Sequence, residues 1–524
     1  VVSRLVRRPR PGGADPGEPG RGNRSLLAVT AVVASAALSA RTWVMLRDGG
    51  LLAPTGYDPG VYYAAADSLV HGLLPYRDFW LLHPPGIMLA LSPFAAFGSV
   101  TSDPAGMGLA RVAVIVLGAL NAVLVARIAY RFGLVAALTG GLFYAGWLPV
   151  VRVETTARLE PFGNTALLLA LLFLLRPRGR VSARAEVLGG LCLGATACFK
   201  IWGIVPLLVV LGWRLLDRGR RSAVRVAAGA ATAGAAICLP FFVVAPDRML
   251  RMVVIYQLGR PRSNVSPVER LYGAISVREW VTSPSLLRLV ATAAVVLAVT
   301  ATSLAWRERS ARIVVVLLLT QTALLFAAPS FFGFYAAFVV PAAALTLAVA
   351  AGRLARSAGE HGPRVRIAAV GLLCTAVAAA AALLVPVGRP PAPFPGRQLG
   401  AAAGNLRCVL SDNPLALVQM DVLSRNLRNG CSVWVDVTGR TYDPGVAFDP
   451  AGRRLPRTKN PVWQRQILAY LRSADAVVLA RPGTGLSAAT KRTIAGWPIL
   501  ARVDGYTLRA PPDGVPPNGS VPSR

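Results

Sequence analysis

Side chains that usually carry metal, redox or nucleotide chemistry are scarce in this chain. Of its 56 basic residues only Lys200, Lys459 and Lys491 are lysines, and the only histidines are His71, His83 and His361. No cysteine pair has zinc-site spacing, so a multi-ligand transition-metal centre is not expected. No Walker A loop or dinucleotide fingerprint precedes a suitable helix, and nothing else asks for a nucleotide pocket. Acids are few as well: 24 Asp and Glu leave a formal net charge of +32. In a soluble chain that excess would suggest nucleic acid. Here the arginines stand mostly in short loops between apolar runs, where they read as orientation signals and lipid headgroup contacts, so no nucleic acid partner is expected. No internal repeat of 20–50 residues is evident.

What the chain has in abundance is apolar sequence. It is 524 residues long and 54% hydrophobic, and several runs reach the ~20 apolar residues that span a bilayer. The reading is an all-α polytopic membrane protein of the plasma membrane. Residues 1–24, rich in Arg, Gly and Pro, are expected as a disordered cytoplasmic tail. The run from Ser25 to Leu46 crosses outward, and its length and the Trp43–Leu46 continuation favour a retained helix over a cleaved signal. The stretch His83–Val100 is apolar but holds Pro84, Pro85 and Pro93. Treated as interfacial or re-entrant, it leaves every later basic cluster, among them Arg176–Arg184 and Arg218–Arg221, on the inside.

Further spans are expected at about 106–129, 133–151, 161–175, 186–200, 202–216, 223–245, 284–305, 311–328, 333–351 and 367–387, eleven with the first. The short pair 186–200 and 202–216 forms a V with Lys200 and Trp202 at its outer tip. After the transmembrane domain 25–387 come a Pro-rich linker, 388–400, and a small extracytoplasmic α/β domain, 401–510, before a disordered tail at 511–524. In that domain strands are expected at Cys408–Leu410, Val433–Val437 and Ala476–Ala480, with helices near 414–428, 461–473 and 486–497. Cys192, Cys198, Cys238 and Cys374 read as buried small residues, whereas Cys408 and Cys431 are available to pair if their domain lies outside the cytoplasm.

With that topology, acids and bases converge on the outer face: Asp58, Asp67, Asp78 and His83; Glu154, Arg158 and Glu160; Lys200; and Arg260, Arg262, Glu269 and Arg270 in the loop 246–283. Carboxylates suit a general base acting on a hydroxyl, and cations suit an anionic leaving group such as a phosphate. A lysine between two apolar spans is costly and therefore a functional candidate. Each has a plainer reading. Asp58 is also a turn or capping residue for a helix at 61–72, Lys200 a snorkelling end residue, Glu160 a helix N-terminal acid, and His83 a loop former. Asp67, Asp78, Glu154 and Arg158 fit a solvated or structural set. Tyr62, Tyr63, Phe79 and Trp80 fit an interfacial aromatic belt. Asp412, Asp436 and Asp443 are explained equally by turns or by sugar or cation binding.

The order YDPGVYYAAADSLVHGLLPY, HPPG, RLEPFGN, ACFKIWGIVP and FFGFYAAFVVP, spread over roughly residues 25–350, resembles the GT-C glycosyltransferases, which include protein O-mannosyltransferases and lipid A aminoarabinose transferases. The resemblance implies an inverting transfer of a mannose- or arabinose-like sugar from a polyprenyl-phosphate donor to a hydroxyl of a cell-envelope glycan, lipid or protein. It assigns Asp58 as the general base and Glu160 as an acid near the reaction. Lys200, Tyr335, His83 and Arg158 become contacts of the donor phosphate, and a divalent cation there is left open. The sequence departs from the family in three places. Pro59 stands where many members have a second acid, His83-Pro84-Pro85 replaces a Glu-Lys-Pro, and Tyr335 lacks the lysine that precedes it in aminoarabinose transferases. Two other readings are a transporter or flippase of lipid-linked sugars and a non-catalytic envelope assembly protein.

Overall fold

The computed structural model of the chain describes residues 19–54, 56–175, 181–279, 281–358, 394–449, 452, 454–481 and 484–512. Most of the expected N-terminal tail, the expected span 367–387, residues 388–393 of the linker, and the terminal tail beyond residue 512 lie outside the described residues. The helices are α1 (Pro19–Arg47), α2 (Tyr57–Val70), α3 (Gly86–Val100), α4 (Asp103–Ala129), α5 (Leu134–Gly146), α6 (Leu148–Val153), α7 (Glu160–Leu174) and α8 (Ala183–Phe199). They continue as α9 (Ile204–Arg218), α10 (Arg220–Val244), α11 (Pro246–Leu250), α12 (Tyr256–Leu258), α13 (Pro267–Ala274), α14 (Pro284–Trp306), α15 (Arg312–Ala327) and α16 (Val340–Ala358). Among the described residues five helical stretches, Arg24–Arg47, Asp103–Phe132, Arg220–Val244, Pro284–Trp306 and Arg309–Ala327, are long and apolar enough to cross a bilayer. Gly86–Val100, Leu134–Gly146 and Glu160–Leu174 are shorter apolar helices beside them. The chain is a multi-pass membrane protein.

Small residues set the closest helix contact. A Cβ at Gly190 would run into the Val226 carbonyl, one at Gly194 into that of Ala230, and one at Gly229 into that of Val187. The backbones of α8 and α10 therefore touch along their length, a packing that only glycine permits at these positions. Deeper in the bundle, Glu154 is fully buried and takes hydrogen bonds from Arg41 Nε at 3.0 Å, Asn121 Nδ2 at 2.8 Å and the Tyr144 hydroxyl at 2.9 Å. An ion pair so enclosed is tolerated because its lone pairs are satisfied.

The C-terminal residues form a four-stranded mixed sheet of β1 (Val409–Ser411), β2 (Ala476–Val478), β3 (Ile499–Val503) and β4 (Tyr506–Arg509), in the order β1-β2-β4-β3. Strands β1 and β2 are parallel, and the other pairings are antiparallel. The sheet shares a hydrophobic core with α2 and α3: Val409, Leu415, Val478 and Leu508 are buried together with Tyr63, Ala64, Ile87 and Met88. Gly60 is required at that junction, since a Cβ there would overlap the Leu415 backbone.

Several boundaries differ from the sequence reading. The expected span 133–151 is broken at Trp147, which is extended (φ −67°, ψ 111°), and Pro149 restarts the chain as α6. The expected span 333–351 starts only at Val340, because Gly333–Phe338 is a 3₁₀ turn. Val433–Val437 is not a strand, and the helix expected at 414–428 is two, Pro414–Gln419 and Leu423–Arg428, separated by Asp421 in the left-handed region at φ 58°. Tyr62, Tyr63 and Phe79 are buried in the packed core, where they complete the junction with the sheet and form no interfacial belt.

Candidate functional site

Lys200 sits where α8 ends. It is extended (φ −146°, ψ 131°), and a 3₁₀ turn, Ile201–Gly203, then reverses the chain into α9. Glycine at 203 makes the reversal possible, because a Cβ would overlap the backbone of Thr196 and Ala197. The His83-Pro84-Pro85-Gly86 loop packs on the same end, with Gly86 against the Cys198 carbonyl. That loop is tied by the Tyr76 hydroxyl, which donates to the His83 carbonyl at 2.8 Å. Glu160 opens α7 ahead of Pro161, where an acid is favoured by the helix dipole, and Asp58 lies in the first turn of α2. The 3₁₀ turn at Gly333–Phe338 carries Tyr335.

These elements meet around one cavity of about 330 Å³ lined by Asp58, Arg158, Glu160, Lys200, His83 and Tyr335 together with Tyr57, Tyr62, Arg260, Asp436, Tyr442, Arg457 and Arg481. Two ion pairs face it. Lys200 Nζ donates to Glu160 Oε1 at 2.8 Å, and Arg158 Nη1 donates to Asp58 Oδ2 at 2.7 Å. Lys200 and Glu160 are buried, while the Asp58 side chain keeps 35% exposure and so stays reachable. Aromatic faces line the cations: Lys200 Nζ is 3.9 Å from the Tyr335 ring centre and 4.3 Å from that of Trp202, and the Arg158 guanidinium is 3.9 Å over Phe334. Arg260 Nη1 donates to the Tyr335 hydroxyl at 3.2 Å and lies 4.9 Å over the Tyr442 ring.

The family resemblance made His83 a contact of the donor phosphate, a role in which a protonated imidazole would add a cation. Burial, with Arg260 and Lys200 nearby, instead holds its imidazole well below the usual histidine range, so at neutral pH it is a neutral hydrogen-bonding group. Asp67, Asp78 and Glu154 do not line the cavity. Asp78 is held by Arg77 at the surface, whereas Asp67 and Glu154 are fully buried structural acids. Among the described residues no group of three or more His, Cys, Asp or Glu side chains is placed to hold a metal ion.

Apart from naming Asp436 as either a turn residue or a sugar- or cation-binding one, the sequence reading missed the share of the wall that comes from the C-terminal residues. Asp436 lies near the N-terminus of α2 through Tyr57, whose hydroxyl donates to Asp436 Oδ1 at 2.8 Å. The Gly439 amide donates to the same oxygen at 2.8 Å. Burial and the nearby Asp58 charge raise the Asp436 carboxyl above the ordinary carboxylate range, against the opposing effect of those hydrogen bonds. Arg481 lies 4.4 Å over the Tyr57 ring. No local spacing could have revealed this, since the partners are separated by most of the chain.

No protein-family model and no curated protein sequence matches the chain. Its fold is similar to that of solved GT-C membrane glycosyltransferases. ArnT from Cupriavidus metallidurans, in a crystal structure bound to undecaprenyl phosphate, aligns at a TM-score of 0.56 with 16% identity, over 93% of this chain and 97% of that one. The archaeal oligosaccharyltransferase AglB from Archaeoglobus fulgidus, in complex with an inhibitory peptide and a dolichol-phosphate, aligns at 0.55 with 13% identity, over 87% of this chain and 69% of that one. The Archaeoglobus fulgidus oligosaccharyltransferase tethered to an acceptor peptide gives 0.55 and 13%, over 86% and 68%.

Proposed function

We propose, starting from a fold shared with glycosyltransferases solved with polyprenyl and dolichol phosphates, that this chain is an inverting glycosyltransferase. It moves a mannose- or arabinose-like sugar from a polyprenyl-phosphate donor to a hydroxyl of a cell-envelope acceptor, at the outer face of the plasma membrane. The observation that carries the reading is the meeting of two ion pairs, Asp58–Arg158 and Lys200–Glu160, at one cavity.

In this mechanism Asp58 takes the proton from the acceptor hydroxyl as that oxygen attacks the anomeric carbon. Arg158 keeps the carboxylate oriented until then. The bond from the anomeric carbon to the phosphate oxygen breaks, its electron pair leaves with the polyprenyl phosphate, and the configuration at carbon inverts. Lys200 and Arg260 stabilise the charge gathering on the phosphate, with the Tyr335 hydroxyl beside it, and Glu160 holds Lys200 in place. Loss of such a base or such a cation costs on the order of 10²–10⁴ in rate.

The test compares wild type with Asp58→Asn in nanodiscs, using radiolabelled polyprenyl-phosphate sugars and envelope extract. Loss of transfer with donor binding retained supports the reading. Equal transfer by both proteins removes Asp58 from the mechanism. Absence of transfer by wild type from every donor favours a transporter of lipid-linked sugars instead.

A further inference from the structure

The cavity holds five permanent cations against three carboxylates, Asp58, Glu160 and Asp436, and the surplus is unevenly placed. Arg158 and Lys200 are each matched by a carboxylate within hydrogen-bonding distance. Arg260 stands by Tyr335, whose ring also faces Lys200, and so belongs to the same wall as that lysine. The remaining two, Arg457 and Arg481, come from the C-terminal residues. Among the described residues neither guanidinium makes a hydrogen bond or an ion pair; Arg481 rests on the Tyr57 ring at 4.4 Å. Arg457 is confined differently, since a Cβ at Gly485 would come within 3.3 Å of its Nε. Beside them Asp436 spends one oxygen, Oδ1, on Tyr57 and Gly439, and no donor among the described residues takes Oδ2.

We propose that Asp436, Arg457 and Arg481 form the acceptor subsite of the cavity, built for a polyhydroxylated acceptor that carries an anionic group. The proposal rests on the transferase reading above and names the class of its acceptor. A lipid phosphodiester donor brings one negative charge, which Lys200 and Arg260 already face. A neutral acceptor would leave these two half-buried C-terminal guanidiniums with no hydrogen-bonded anion, Arg481 having only the charge of the nearby Asp412 beside it. Guanidinium forks match phosphate and carboxylate oxygens, and a carboxylate oxygen with no protein donor accepts from a sugar hydroxyl. Held between them, the acceptor presents its reacting hydroxyl toward Asp58, whose charge is felt at Asp436. The subsite adds no bond-making step; it orients the nucleophile.

The experiment uses the full chain in nanodiscs and isothermal titration with five probes: a hexose 6-phosphate, a hexuronate, the unsubstituted hexose, inorganic phosphate and undecaprenyl phosphate. The expected result is that one of the two anionic sugars binds more tightly than both the hexose and inorganic phosphate, and the tighter of the two identifies the anion. The double variant Arg457→Gln, Arg481→Gln weakens that binding roughly tenfold or more, while Arg481→Lys alone retains part of it. Asp436→Asn weakens the anionic sugar and leaves inorganic phosphate unchanged.

Undecaprenyl phosphate affinity is expected to be the same in all variants. Its fall in step with the sugar would assign the arginines to the donor and overturn the proposal. So would anionic sugars that bind no better than inorganic phosphate, or that bind equally to wild type and the double variant. Failure of wild type to bind undecaprenyl phosphate would remove the transferase reading, while the sugar titrations, run without lipid, still decide the subsite.

Discussion

The phenol of Tyr57 donates a 2.8 Å hydrogen bond to Oδ1 of Asp436, 379 positions further along the chain. The same oxygen of Tyr57 accepts from the Thr438 amide at 3.0 Å, so one side chain stitches the start of α2 to the C-terminal wall of the cavity. Tyr57→Phe leaves the ring under Arg481 and removes both bonds. A buried hydrogen bond to a carboxylate contributes about 1.5–3 kcal/mol, so amide exchange across 436–442 is expected to speed up by about tenfold or more, with α4 and α7 unchanged. Unchanged exchange there would mean that the C-terminal wall is held by its apolar core alone.

Lys200 and Glu160 form a buried pair whose side chains are 10% and 2% exposed. Removing one partner strands the other's charge, which typically costs about 3–5 kcal/mol, whereas replacing both is far milder. Lys200→Met is therefore expected to lower thermal stability in detergent more than Lys200→Met combined with Glu160→Gln does. Undecaprenyl phosphate binding should be weak in both. A double variant that regains stability and also regains lipid affinity would take Lys200 out of the phosphate site.

Asp67 is fully buried where α2 meets the C-terminal residues, and Ser424 Oγ donates to its Oδ2 at 2.9 Å. Ser424 also bonds Asp103, and His71 Nδ1 lies 3.3 Å from Asp67 Oδ1. Burial pushes the Asp67 carboxyl up to about 7 from its ordinary 3.8. The folded state therefore binds this proton more tightly than the unfolded state does. The stability it contributes is complete below about pH 4 and is lost as pH rises toward about 7. Asp67→Asn, which can still accept from Ser424, is expected to flatten that part of the stability profile and to raise stability at pH 7–8 by a few kcal/mol. An unchanged slope between pH 4 and 7 in denaturation at several pH values would show that another group titrates there.

The sequence conveyed the order of the apolar helices because helix periodicity and length are local, and it singled out six polar residues that the fold brings to one cavity. It was blind where long-range packing decides. Glu154 read as solvated or structural without a way to choose, and its enclosure by Arg41, Asn121 and Tyr144 from three other positions makes it structural. Val433–Val437 had strand composition, but the sheet is completed by the hairpin of β3 and β4, so those residues run beside the cavity as irregular backbone. For Asp436 the turn reading and the sugar- or cation-binding reading stayed equal, because its partner Tyr57 lies at the far end of the chain. The pairing is a product of the shared core of α2, α3 and the sheet, which no spacing rule encodes.

Cys408 and Cys431 are joined in a disulfide, with Cα atoms 5.7 Å apart and 23 residues of separation. The loop it closes includes Leu415 and Ser424, two of the residues that anchor the C-terminal chain on α2, through the Gly60 contact and the Asp67 hydrogen bond. A cross-link over a loop of this length stabilises by about 3 kcal/mol in the chain-entropy account. Cys408→Ser with Cys431→Ser is expected to lower the melting temperature measured by tryptophan emission of Trp434, Trp463 and Trp497, and to raise exchange over 409–428. Undecaprenyl phosphate affinity, assigned in the proposed mechanism to Lys200 and Arg260 outside the loop, should not change. The same bond tests orientation. Alkylation of intact cells before lysis, followed by mass spectrometry, should find both sulfurs blocked from label, because a disulfide persists outside the reducing cytoplasm. Quantitative labelling of both thiols by a membrane-permeant reagent, with none by an impermeant one, would place this end of the protein inside and reverse the topology on which the proposed reaction depends.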